Sequence, residues 1–199
     1  MINRTTRQSC HMSFIQTTLK ITALAFFLSV LTLVYGCQPE TTVRDNQTPA
    51  AKVAIKSTSD PSKVIGEASF SKTSGGMLIE AKINNAPPGK HGFHIHEVGN
   101  CGDKGNAAKG HFNPDKVKHG FLPKDGFKNA HAGDFGNITI SSDGKGTLSE
   151  TVPGLTLSGP KYAIKGLSVI LHEKVDDFGQ PLGNAGGRIG CGIITTNDA

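Results

Sequence analysis

Tryptophan is absent from this 199-residue chain, tyrosine occurs twice, and aromatics make up 6% of it. Any core must therefore be built mainly from Val, Ile, Leu and Phe. The lysines and arginines are scattered among turn residues without interleaved aromatics, which leaves nucleic-acid binding little support. The formal charge of +5 overstates the basic character, because the first 37 residues contribute Arg4, Arg7 and Lys20 and no acid, leaving +2 for the remainder. There is no internal repeat, no Walker or Rossmann glycine pattern and no GxSxG. Cysteine is scarce at four. Cys10 and Cys37 lie in the N-terminal segment, so Cys101 and Cys191 remain as an even pair that an oxidising compartment would let join, a free buried pair being the alternative.

What is plentiful is glycine, at 25, with 10 prolines. Such a composition favours short strands and many turns. From Lys52 onward, alternating runs stand between turn residues: KVAIKS, VIGEASFSK, GMLIEAKI, HGFHIHE, then NITISS, GTLSETV, LSVILHE and CGIITT. Eight strands fit an all-β chain folded as a closed or nearly closed antiparallel barrel or sandwich. The glycines of GNAGGRIGCG could form an anion-binding nest, although a tight turn into the last strand is their commoner meaning.

The N-terminus pairs its three bases with an apolar run from Ile21 to Tyr35. That run is shorter than the ~20 residues a membrane-spanning helix needs and has the length of a signal-peptide core. Met12 is a second candidate start. Leu33, Val34, Tyr35, Gly36 and Cys37 resemble a bacterial lipobox, Tyr35 standing where a small residue is usual. Ordinary cleavage and a retained anchor are the alternatives. The expected organisation is a lipoprotein-type signal peptide over 1–36, a lipidated Cys37 with a polar tether over 37–51, and a folded domain over 52–199. This implies export to the periplasm or cell envelope and a membrane anchor at Cys37.

The histidines carry the chemistry. In a strand, residues i and i+2 share a face, so His94 and His96 can grip one ion together. The segment after them is rich in Gly, Lys, Asn and Asp and reads as a long loop, a length uncommon in compact domains unless it serves function. It holds His111, His119, His131 and Asp134, a set that closes a tetrahedral zinc site with no water position. His94 and His96 then imply a second ion with at least one more ligand, for which His172 is the candidate.

Taken in order, HGFHIHE, GHFNP, KHG, HAGDFGNI, LHEKVDDFG and GNAGGRIGCG resemble the copper/zinc superoxide dismutase family over roughly residues 50 to 197. The resemblance implies an eight-stranded Greek-key barrel or sandwich, an architecture that includes this family. It implies copper on His94, His96, His111 and His172, zinc on His111, His119, His131 and Asp134, and a bridging His111. Asp176 matches an outer carboxylate linking His94 and His119. His91 matches a bracing position, and Arg188 matches the arginine that guides the superoxide anion. Copper(II) would oxidise one superoxide, and copper(I) would reduce the next to peroxide. A homodimer is left open.

Two departures stand out. Cys101 follows His96 by only five residues, as in exported bacterial members, and the loop DFGQPLGNAGGR is shorter than the family's electrostatic loop and lacks its charged cluster. Steering would then fall to Arg188 with Lys124 or Lys128, and copper would be more exposed. A surface module that buffers metals without turnover is the rival reading, and a structural adhesion-type sandwich would leave the histidines unexplained.

Overall fold

A computed structural model of the protein describes residues 50–196. The leader, Cys37 and most of the tether lie outside the described residues. The expected strands form at Ala51–Ser57 (β1), Val64–Thr73 (β2), Gly76–Ile83 (β3), Gly89–His96 (β4), Asp134–Ile140 (β5), Gly146–Val152 (β6), Ser168–His172 (β7) and Arg188–Ile193 (β8). A two-residue β9, Thr195–Thr196, follows and pairs with β1. The run CGIITT is thus split, for a local reason. Ile194 turns its N–H to Leu167 O at 2.9 Å and accepts from Gly166 N–H at 2.8 Å, leaving the ladder for one residue.

All hydrogen-bonded neighbours are antiparallel, in the order β5-β4-β7-β8-β1-β2-β3-β6. The end strands β5 and β6 pack against each other, so the sheet is a nearly closed barrel. Strands β4, β5 and β6 are consecutive and β7 returns beside β4, which is the Greek-key arrangement. Inside lie Phe70, Phe93, Ile95, Phe135, Ile138 and Leu171, each at most 1% exposed. Each such side chain contributes about 1.5–3 kcal/mol by leaving water. This interior holds the barrel together, and the opposite faces of β4 and β7 are free to carry imidazoles.

Candidate metal centre

Alternation along β4 sends Phe93 and Ile95 into the barrel and His94 and His96 to its outside. In β7, Val169 and Leu171 point inward, leaving His172 on that same outer side. All three imidazoles are nonetheless buried, because residues 97–133 fold over them. Ile95 N–H donates to Gly133 O and Phe112 N–H to Ile95 O, both at 2.9 Å, and Gly133 N–H donates to Phe112 O at 3.0 Å. Only glycine fits at 133, where a Cβ would collide with the Ile95 carbonyl oxygen. These bonds bring His111 opposite His96. Farther out, a disulfide joins Cys101 to Cys191 of β8, and Asp115 receives the Tyr162 hydroxyl at 2.6 Å and pairs with Lys161.

The ring nitrogens converge in two sets, His94, His96, His111 and His172, and His111, His119, His131 and Asp134. In the first, one nitrogen of each strand histidine is spoken for. His96 Nδ1 faces Lys109 O at 2.8 Å, His172 Nδ1 faces Gly186 O at 3.4 Å, and His94 Nε2 donates to Asp176 Oδ2 at 2.8 Å. A neutral imidazole has one N–H, so the opposite nitrogens carry lone pairs. Nε2 of His96 and Nε2 of His172 therefore face each other at 3.2 Å, and His94 Nδ1 is buried with no hydrogen-bond partner. Lone pairs converging in a buried space fit a cation.

The second set surrounds a carboxylate. His111 Nδ1 lies 2.8 Å from Asp134 Oδ1. His119 Nδ1 and His131 Nδ1 lie 2.8 and 3.2 Å from Asp134 oxygens. Those two contacts are off the line of a hydrogen bond, and both nitrogens lack partners. His131 Nε2 faces Val117 O at 3.1 Å, which leaves its Nδ1 as the lone-pair atom. Such a donor set, three imidazoles and one carboxylate, suits zinc.

The charges follow from burial and neighbours. Burial, with His94 nearby, lowers His111 to about 4, and burial with His94 and His111 lowers His172 to about 2. His96 is pushed far down by burial and then by His111. Burial opposes charge at His119 too, but Asp134 and Asp176, one carboxylate toward each nitrogen, outweigh it and raise the ring to about 9. Asp134 loses solvation on burial, yet His111, His119 and His131 hold it far below the usual carboxylate range.

Asp176 spans the two sets, with Oδ2 on His94 and Oδ1 2.9 Å from His119 Nε2. Arg188 pairs with His172 in the β7–β8 ladder, and its guanidinium donates to the carbonyls of Gly105 and Lys109. The Lys109 carbonyl thus meets both His96 and Arg188. His91 is in neither set and spans Pro87 O and His172 O, both at 2.9 Å, as a brace.

Other residues at the centre escaped sequence reasoning. Asn137 and Gln180 hold main chain beside it, and Lys116 and Lys118, rather than Lys124 and Lys128, line an open cleft over His111 and His131. No local period marks any of them.

A family model described as copper/zinc superoxide dismutase matches residues 64–194. The chain is 40% identical over 143 residues to an extracellular copper/zinc superoxide dismutase of Caenorhabditis elegans, covering 68% of this chain and 63% of that protein. It is also 40% identical over 137 residues to a copper/zinc superoxide dismutase of Aquifex aeolicus, covering 65% of this chain and 79% of that one. A solved double mutant of a SOD-like protein from Bacillus subtilis superimposes with a TM-score of 0.64 at 33% identity, over 73% of this chain and 99% of the other. The chain therefore belongs to the copper/zinc superoxide dismutase family, enzymes that dismute superoxide with copper and zinc.

Proposed function

We propose that His94, His96, His111 and His172 hold copper, that His111, His119, His131 and Asp134 hold zinc, and that His111 bridges the two as an imidazolate. The observation that carries this reading is the membership of His111 in both convergent sets. Its Nδ1 is turned to Asp134, which leaves Nε2 for the strand histidines. Bound there, copper would accept one electron from a first superoxide, which leaves as oxygen, and give it to a second, which becomes peroxide, while zinc would keep one valence. The protein's part is positional. Neutral His96 and His172 offer lone pairs, and Asp176 fixes the rings of His94 and His119. His111 Nε2 would take up one proton and hand it to the departing peroxide, the second proton of hydrogen peroxide coming from solvent. Arg188, anchored by two carbonyls, keeps further N–H groups free for the superoxide anion.

The test is superoxide decay with the full chain loaded with copper and zinc. A fast, copper-dependent rate that falls with added salt is expected, since screening weakens attraction of an anion. Arg188→Glu should slow decay and reverse the salt trend. Stoichiometric metal binding with decay at the protein-free rate would instead support metal buffering.

The location proposed is the cell envelope, reached by the signal peptide 1–36 and kept by a lipid on Cys37. Supporting it are the leader's composition, the Cys101–Cys191 disulfide and the extracellular relative. Labelled fatty acid is expected to join the wild-type protein and be lost in Cys37→Ala. Label that persists in the variant would exclude Cys37 as the lipid site.

A further inference from the structure

The shortened loop between β7 and β8 grips one residue of the metal loop from three alternate positions. Asp176 Oδ1 accepts from His119 Nε2 at 2.9 Å. The Phe178 ring stacks on the His119 ring, with centroids 6.2 Å apart and planes 20° apart. Gln180 takes the main chain: its Oε1 accepts from His119 N–H at 3.0 Å, and its Nε2 donates to His119 O at 3.0 Å.

The third contact differs in kind from the others. His119 lies outside every strand and helix, so no ladder serves its N–H and C=O. Covered main-chain groups need partners, and one planar side-chain amide here satisfies both. Two bonds from one rigid group fix the orientation of the peptide units on either side of His119. The ring leaves that fixed main chain with Nδ1 beside Asp134.

The clamp is itself anchored. Asn137 on β5 holds the main chain of Asp176 in the same two-bond manner, at 2.9 and 2.8 Å. The loop then closes on itself, with Gly183 N–H to Gly179 O at 2.7 Å and Asp177 N–H to Gly183 O at 2.9 Å. Gly183 has φ +72 and lies over the Asp176–His119 contact, where a Cβ would strike the carboxylate and come within 2.6 Å of His119 Nε2. A continuous path therefore runs from the barrel wall through the short loop to the main chain of His119. The strand-borne imidazoles, His94, His96 and His172, take no part in the Gln180 clamp.

We propose that Gln180 is a positioning residue for the zinc ligand His119, fixing its main chain so that Nδ1 is set toward Asp134 ahead of metal binding. This rests on the assignment of His119 to zinc given above. Through Gln180 the loop sets the main chain of a zinc-side residue, in addition to orienting His94 and His172 through Asp176 and Gly186 O.

The experiment times metal release to a chromogenic chelator from the full chain loaded with copper and zinc. Wild type, Gln180→Ala, Gln180→Glu and His119→Ala are compared. The absorption spectrum with cobalt(II) in place of zinc and the melting temperature of the metal-free protein are recorded alongside. Gln180→Ala is expected to release zinc roughly 10- to 100-fold faster, as loss of an outer partner does. It should release copper at the wild-type rate, shift the cobalt bands and lower metal-free melting slightly, since two main-chain groups lose their partner. Gln180→Glu keeps the acceptor for His119 N–H and loses the donor to His119 O, so it should fall between, and it serves if the alanine variant does not fold. Wild-type zinc release and cobalt bands in both Gln180 variants, with zinc lost in His119→Ala, would overturn the role of Gln180 alone. Equal loosening of both metals with lower metal-free melting would reduce Gln180 to general loop support. Retention of zinc by His119→Ala would overturn the ligand assignment as well.

Discussion

Replacing His111 with Ala is expected to lower copper-dependent dismutation by about 100-fold or more, the range of a lost proton donor, while copper stays bound. Three of the four copper-side imidazoles survive the change, and each is oriented from its other nitrogen: His94 by Asp176, His96 by Lys109 O and His172 by Gly186 O. What disappears is the one ring that belongs to both sets. Its neutral state at pH 7, with a pKa near 4 before metals bind, leaves one nitrogen open to metal, and the bridge forms as the remaining N–H proton leaves. Metal analysis and stopped-flow superoxide decay on the same sample test this. Undiminished dismutation at full copper occupancy would remove the bridge from the mechanism, whereas loss of copper would show that the strand histidines need His111 to hold it.

Asp134→Asn is expected to release zinc, with a loss of affinity beyond the roughly 100-fold that an outer partner is worth. Asp134 is fully buried and also accepts Gly120 N–H at 3.0 Å and His131 N–H at 2.9 Å. The amide removes the negative charge and turns one acceptor into a donor, so buried N–H groups lose their partner at about 1–3 kcal/mol each. Protons give a second readout. His119 is a cation below about pH 9 in the metal-free protein and must be neutral to ligate. Zinc binding to wild type at pH 7 should thus expel about one proton, and apparent affinity should rise with pH until near 9 and then flatten. His111, near 4, is already neutral at pH 7, so zinc at its Nδ1 leaves the ring's one N–H proton on Nε2 and expels none. Without the Asp134 charge, His119 holds its proton less tightly and the release shrinks. Calorimetry in two buffers of different ionisation enthalpy measures it. Full zinc affinity in Asp134→Asn would remove the carboxylate from the ligand set.

The strands were legible because each is a local alternation, and turn residues separate them. Their limits were less so. β5 begins at Asp134 rather than Asn137, which puts the last zinc-side ligand on a strand end paired with His94. Nothing in HAGDFGNI marks that boundary, since the pairing partner lies 40 residues earlier. Likewise, GNAGGRIGCG did not reveal how Arg188 is aimed. Its direction comes from the carbonyls of Gly105 and Lys109, delivered by a different loop. The short loop shows the same limit: its missing charges suggested exposure, but its grip on His119 depends on Gln180 meeting a residue 61 positions away.

From the sequence by itself came the donor types and their grouping along the chain, because two residues apart on a strand share a face and imidazole chemistry belongs to the residue. The cysteine pair and the barrel class came the same way, from counts and local period. Tertiary structure alone decided which nitrogen of each ring is free, how Asp176 divides its oxygens, and that Asn137 and Gln180 hold the main chain. Those outcomes depend on hydrogen bonds between segments distant in sequence, and a hydrogen bond selects its partner by position in space, for which the chain carries no periodic mark.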